Sequence, residues 1–314
     1  MAKKWKKRVI FAKIETVYGT DSTPGVADAL LTKNLKLDDP YAGDRVSRDL
    51  DLPTLGLQAE INVNPYATVS FDVEIAGSGT AGVAPRYGRL LRACGFTETI
   101  EADSGPNFVD YDPNSDLDES VTLKFEGDGQ QHVLKGSRGN VAMNWQKGIP
   151  FYHFTFSGLY TRPTAASVGT PDFTGIPVPL PVTKLNTTLT VGAYNGPAAS
   201  LTCDMGMQIY PRNVIGQEEI LLTDRGPAGQ IVIDQPDIGV IDLFADFLES
   251  HAGINTGAVS LVHGIAAGNK VTFTAPKAQL STVTEGNDNG LANYSLNARY
   301  IPDVGDDEVK LRVA

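Results

Sequence analysis

Two cysteines, four histidines and a shortage of positive charge set the first limits on this 314-residue chain. Two cysteines are too few for a disulfide framework. Cys94 stands on an apolar stripe and reads as a small core residue, so a reducing cytosol is the simplest place of synthesis. His132, His153, His251 and His263 lie at metal-ligand spacing neither from one another nor from a cysteine, and read as structural. Lys and Arg number 26 against 37 Asp and Glu, a net charge of −11. A protein that grips nucleic acid replaces phosphate counterions with basic side chains, and this one has too few. No apolar run approaches the roughly 20 residues of a membrane span. The basic start is followed only by Val9-Ile10-Phe11-Ala12, too short for a signal-peptide core, so no export signal is expected. The sequence holds no Gly-x-Ser-x-Gly elbow, phosphate loop or dinucleotide fingerprint, and no legible set of nucleophile, base and orienter. The expectation is a protein that is not an enzyme and carries no cofactor or metal.

What is present is turn chemistry between short alternating segments. Gly 32 and Pro 19 suit many turns. Thr68–Ile75 alternates with Val69, Phe71, Val73 and Ile75 on one face, a strand. Val121–Phe125 reads as another, and Val133–Tyr160 as two strands joined near Lys147-Gly148. Five prolines, at 163, 171, 177, 179 and 181, forbid a helix or central strand and mark a linker. Beyond it, Thr188–Val191, Ser200–Tyr210, Gln230–Ile233, Val259–Val262, Lys270–Thr274, Ala278–Thr284 and Leu291–Tyr300 read as strands. The division that follows is an arm over 1–34, a β domain over 35–162, a linker over 163–183 and a second β domain over 184–314.

One helix spacing occurs on both sides of the linker. Tyr87, Leu90, Leu91 and Cys94 fall at i, i+3, i+4, i+7, with Pro85 suited to the first position and Gly95 to the end. Ile241, Phe244, Ala245 and Leu248 repeat the offsets. Phe154–Tyr160 aligns with Tyr294–Tyr300, each followed closely by proline. The pattern predicts a duplication, two similar β domains in tandem.

Two segments carry concentrated charge. Asp110, Asp112, Asn114, Asp116 and Asp118 place oxygen ligands at every second position, as a calcium loop does. Ser115 stands where the loop needs glycine and Val121 where it needs a bidentate Glu, so a solvated acidic loop is the expectation. The start of the chain holds Lys3, Lys4, Trp5, Lys6, Lys7 and Arg8. On an acidic protein this arm is a candidate contact with the next copy of the same chain, with Trp5 as anchor.

Lys13-Ile-Glu15-Thr16-Val-Tyr18-Gly19-Thr20, the small-residue stretch to Ala29-Leu-Leu31, and Arg89-Leu-Leu-Arg-Ala-Cys-Gly95-Phe96 together resemble the tail tube, or major tail, proteins of long-tailed bacteriophages. The resemblance covers about the first 100 residues. It implies a mainly β fold: two tandem tail-tube-like β-sandwich domains, each with a flanking α-helix, forming a β-barrel ring on oligomerisation. Rings would stack through long loops and terminal arms into the tail tube, the conduit for DNA ejection into the host. Two tandem domains imply a trimeric ring with pseudo-six-fold symmetry; a hexameric ring follows if only the first domain is tube-like. The implied partners are other copies of the chain and the tape measure, tail terminator and distal tail proteins, with viral DNA in transit only and no membrane. The implied location is the virion tail, after synthesis and assembly in the host cytoplasm. Segments 66–75, 133–160, 229–233 and 278–300 are the barrel candidates, and 38–64 and 211–228 the stacking candidates. An acidic lumen would let DNA slide by like-charge repulsion. The alternative reading is a carbohydrate-binding or adhesin-type β-sandwich with Tyr41, Tyr66 and Tyr194 as its platform.

Overall fold

The computed structural model describes residues 2–102, 107–116, 119–249, 251 and 253–314. Before the linker the chain forms β1 (Arg8–Ile14), β2 (Ala29–Leu30), β3 (Lys33–Ala42), β4 (Arg45–Ser47), β5 (Glu60–Asn62), β6 (Tyr66–Glu74), the helix α1 (Gly88–Ala93), β7 (Phe96–Glu101), β8 (Phe108–Pro113), β9 (Val121–Gly127), β10 (Gln130–Gln146) and β11 (Phe151–Leu159). After it come β12 (Thr187–Val191), β13 (Ala198–Asp204), β14 (Gln208–Val214), β15 (Gln217–Asp224), β16 (Ala228–Asp234), a π-helical turn (Phe244–Leu248), β17 (Gly257–His263), β18 (Val271–Asp288), β19 (Leu291–Tyr300) and β20 (Lys310–Val313). The protein is mainly β.

Two strands organise the rest. β10 has 17 residues and β18 has 18, long for strands. Each serves two sheets. The first part of β10 pairs with β9, and its later part lies between β11 and β13. The first part of β18 lies between β17 and β20, and its later part pairs with β19. Register shifts mark the crossing points, between Leu134 and Ser137 in β10 and between Ala275 and Ala278 in β18. Such irregularities bend a strand and let it turn a corner between layers.

The later parts of both strands belong to one continuous antiparallel run, β3-β6-β11-β10-β13-β16-β19-β18. The order on the two sides of the linker is the same: first, second, fourth, third in chain order. The pairings β1-β9-β10 and β12-β17-β18 also correspond. Phe154 and Tyr294, aligned in the sequence, fall on the corresponding strands β11 and β19. One face of the run is apolar and buried, including Phe71, Phe154, Phe156, Trp145, Leu201, Ile231 and Leu296. The core does not stop at the linker. The rings of Trp145 and Phe273 lie 5.5 Å apart across it, and Phe273 meets Tyr300 at 5.5 Å.

The expected helices differ in outcome. Tyr87, Leu90, Leu91 and Cys94 are all buried, and Gly95 ends α1 at φ +80°, where a side chain would be strained. The second expected α-helix is a single π turn, with Glu249 N–H donating to the Phe244 carbonyl. The wider turn shifts the phase, so Leu243 and Phe247 are buried while Phe244 and Ala245 are exposed. The segment expected as an arm holds β1, which pairs along its whole length with β9. The segment 211–228, expected as an irregular excursion, forms most of the β14–β15 hairpin, with Pro211 opposite Ile220.

Glu15, at the end of β1, is buried and locks the bend of β10. Gly19 N–H (2.8 Å) and the Ser120 hydroxyl (2.7 Å) donate to Oε2; the Thr122 hydroxyl (2.7 Å) and Gly136 N–H (2.8 Å) donate to Oε1. Tyr18 lies against Gly136, where a Cβ would come within 2.7 Å of its ring, and Gly136 has φ +56°. The Tyr18 hydroxyl also accepts Ile220 N–H from β15 at 2.5 Å. In Glu15→Gln an amide NH2 replaces one acceptor and faces donors. We expect a loss of roughly 3 kcal/mol, read as a lower urea midpoint at unchanged slope.

Candidate assembly surfaces

The face of the eight-stranded run opposite the core is polar. Ser70 and Asp72 on β6, His153 and Thr155 on β11, Asn140 and Asn144 on β10, Thr202 and Asp204 on β13, Gln230 on β16 and Asn297 on β19 share it by strand alternation and register. Their side chains bond across the strands. His153 Nδ1 lies 2.6 Å from Asp72 Oδ1, and the Asn34 amide donates to Asp72 Oδ2 at 2.6 Å. The Asn140 amide donates to Asp204 Oδ1 at 2.7 Å, joining the strands of the two sides of the linker. Two carboxylates of this face are thus tied to neighbours, and by the same register the face also carries Lys33 and Lys36 on β3, Glu74 on β6, Asp234 on β16 and Arg299 on β19 among its hydroxyls and amides.

The run has two edges. β3 pairs only with β6, and the later part of β18 only with β19, among the described residues. Such edges present unpaired backbone groups to another chain. β3 is irregular, with three register shifts, a common way to keep an edge from pairing indiscriminately.

Two hairpins leave the run at one end, where Ala42 opposes Tyr66 and Asp204 opposes Ala228. The β4–β5 hairpin is apolar: Val46, Leu50, Leu52, Leu55, Leu57 and Ile61 are exposed, Leu55 and Leu57 fully so. Each fully exposed leucine forgoes about 2 kcal/mol of burial. The β14–β15 hairpin carries the Arg212–Glu219 pair (2.7 Å) with Tyr210 and Ile215 exposed. Asn64 donates to the Pro211 carbonyl at 3.0 Å and joins the bases of the two hairpins.

The basic start of the chain is laid against the β9–β10 turn. Lys3 Nζ donates to Gln130 (2.9 Å) and Lys4 N–H to Asp128 (3.0 Å). The Arg8 guanidinium stacks 3.5 Å over the Trp5 ring and donates to the Trp5 and Leu35 carbonyls, both at 2.5 Å. Trp5 is 70% exposed, and Lys6 and Lys7 point to solvent.

The other sequence candidates are not gathered into a site. Asp110 and Asp112 lie on β8, not in a loop. Asp110 takes a bidentate bond from Arg312 (2.7 Å twice) and an ion pair with Lys310 (3.3 Å), which also reaches Asp112 at 3.2 Å. The solvated-loop expectation is therefore corrected: Val109 and Tyr111 alternate inward and make this stretch a strand. Asp118 lies outside the described residues. No cluster of three or more metal-binding side chains occurs among the described residues. Burial, and for His132 also the nearby Lys3, lowers the imidazole pKa of His132 and His263. His263 Nδ1 meets the Thr187 hydroxyl at 2.8 Å. Burial pushes the Cys94 and Cys203 thiols up. Tyr194, expected on an exposed platform, is buried with its hydroxyl on the Pro197 carbonyl at 2.6 Å, while Tyr41 packs edge-on against Tyr160 at 4.8 Å.

Sequence reading missed the β8–β20 junction because its partners are some 200 residues apart. Alternating Val109 and Tyr111 against Leu311 and Val313 was the available signal. Burial opposes the charge of Asp110, but the bonds and charges of Arg312 and Lys310 outweigh it and hold its pKa below the usual value. That stabilisation is complete above about pH 4 and is lost as pH falls through the lower folded value. Asp110→Asn should lower stability at neutral pH by roughly 1 to 2 kcal/mol, discounted for the exposed cations, and flatten the acid side of a melting-temperature profile.

A family model described as phage tail tube protein matches residues 5–299, both sides of the linker included. A search of curated proteins found no match.

Proposed function

This chain belongs to the phage tail tube protein family, a structural component of phage tails, and from that premise we propose how it builds the tube. The eight-stranded run is one segment of a closed barrel wall, and β3 of one copy pairs with the free edge of β18 in the next. Closure removes both edges, the usual remedy for exposed strands, and a barrel of many strands leaves an open channel. The observation that carries the reading is the repeated strand order, four strands before the linker and four after it, in one sheet with one polar face.

The repeat is the mark of two tandem tube domains divided by the 163–183 linker. Three copies then make a ring of pseudo-six-fold symmetry. The second four strands continue the wall, which argues against a six-copy ring decorated on its outside. The polar face lines the channel for viral DNA in transit. Hydroxyls and amides offer no cationic grip, Lys33 and Lys36 are ion-paired with Glu74 and Asp38, and the net negative charge repels the duplex. Rings stack head to tail, with the basic start of the chain, Lys3, Lys4, Trp5, Lys6, Lys7 and Arg8, as one inter-ring contact. Assembly in the host cytoplasm, and capping by tape measure, terminator and distal tail proteins, complete the reading.

Negative-stain electron microscopy at high protein concentration, with end-on views averaged without imposed symmetry, tests this. Rings or tubes with a central hole and three-fold modulation are the expected result; strict six-fold density with peripheral knobs would refute the three-copy ring. Deletion of residues 2–7 leaves β1 and its lock intact and should shorten the tubes. Tubes of normal length from that variant would remove the arm from the inter-ring contact.

A further inference from the structure

We infer that Lys36 governs the lateral joint between two copies of this chain. In that joint it stands between Asp38 of its own strand and Asp288 of the neighbouring copy, one cation serving two carboxylates. The inference rests on the tube reading above, in which the edges β3 and β18 meet.

The joint inside the chain, β10 against β13, supplies the register. Phe154 and Tyr294 correspond in the repeat. Phe154 opposes Val141 on β10 and Tyr294 opposes Glu285 on β18, so Val141 matches Glu285 and Asn144 matches Asp288. Phe154 also opposes Phe71, and Tyr294 opposes Ile233, so Val69 on β6 matches Ile231 on β16. Val69 opposes Leu37 and Ile231 opposes Leu201, so Leu37 matches Leu201 and Asp38 matches Thr202. Within the chain Asn144 lies opposite Thr202. The same geometry between copies sets Asp288 opposite Asp38.

Like charges directly opposite in a sheet repel, and Lys36 answers that repulsion. It ion-pairs with Asp38 at 2.9 Å, two residues along on the same face. It is then the diagonal neighbour of Asp288, within reach of a long side chain. The position of Lys36 is set before any partner arrives. β3 carries one extra residue against β6 between Lys33 and Lys36. Asn34 takes φ +53° in that bulge, and its amide donates to the buried carboxylate of Asp72, which His153 holds from β11. Lys33 is drawn instead to Glu74 at 3.7 Å. Such preorganisation lowers the ordering cost of association.

The two joints differ in chemistry. The joint inside the chain is sealed by buried apolar pairs, Met143 with Cys203 and Trp145 with Leu201. The β18 positions that match Met143 and Trp145 are Asn287 and Asn289, both exposed. The free edge of β18 therefore shows no apolar seam in a lone chain, which protects it from indiscriminate pairing. Backbone bonds and charge are left to decide which edge it accepts, and the Lys36 cluster is the charged part of that choice.

The test is a charge reversal and its rescue in the full chain. Within one chain Lys36 and Asp288 stand at opposite edges of the eight-stranded run, so one can compensate the other only between copies. Lys36→Glu brings three carboxylates together. The protein concentration at which rings form, read by sedimentation and electron microscopy, should rise about tenfold or more, at an unchanged urea midpoint. Lys36→Glu with Asp288→Lys again sets one cation between two carboxylates, and should return that concentration to within about threefold of the unaltered protein. Ring formation by Lys36→Glu at the ordinary concentration, or no recovery in the double variant, would overturn the inference. Absence of rings from the unaltered protein would instead remove the tube reading, and this joint with it, so the two failures are distinguishable.

Discussion

The bend of β10 at Gly136, held by the buried carboxylate of Glu15, is the constraint on which the rest of the structure depends. A strand of 17 residues can serve both layers only if it turns between them. Four donors converge on Glu15 from the ends of β1, β9 and the bend itself. A buried carboxylate is tolerable when its lone pairs are so occupied, and costly otherwise. Tyr18 then passes the constraint on, since its hydroxyl accepts a backbone N–H of the β14–β15 hairpin. One motif near the start of the chain thereby positions elements some 200 residues away.

The two halves are joined by continuity rather than by a docking interface. β10 pairs directly with β13, so the sheet does not end at the linker. On the other layer, β20 inserts between β18 and β8 and carries Arg312 onto Asp110. Inter-domain contacts within a chain are commonly small and mobile; backbone pairing on both layers makes this joint stiff. A stiff joint suits the barrel-wall role proposed above, in which one curvature would be reproduced in every copy.

Charge is arranged so that the polar face of the sheet holds little of the net negative charge in free form. Asp72 and Asp204 are tied to His153, Asn34 and Asn140, while Asp110 and Glu308 are engaged by arginines in the other layer. In the tube proposed above, where this face would line the lumen, much of its acidity would be tied up by neighbouring side chains.

Local alternation made much of the sheet legible. β6, β9, β10 and β11 lie where Thr68–Ile75, Val121–Phe125 and Val133–Tyr160 placed them, because one face is buried and the period of two survives in the residues. The family was legible too, in Glu15, Tyr18 and Gly19 and in the Leu90–Phe96 stretch, residues that each meet a demand set by burial or by backbone geometry. β1 was hidden behind its basic start, β8 and β20 behind charges whose partners are remote in sequence, and β14–β15 behind Pro211, which an exposed hairpin tolerates. By itself, then, the sequence determined the cleanly alternating strands, many of the turns and the repeated order of those elements, since these follow from nearest-neighbour preferences and from which face is apolar. Only the tertiary structure decided that both halves share one sheet, where its free edges lie and which carboxylates are neutralised, because pairing between strands hundreds of residues apart is chosen by the whole fold and leaves no local trace.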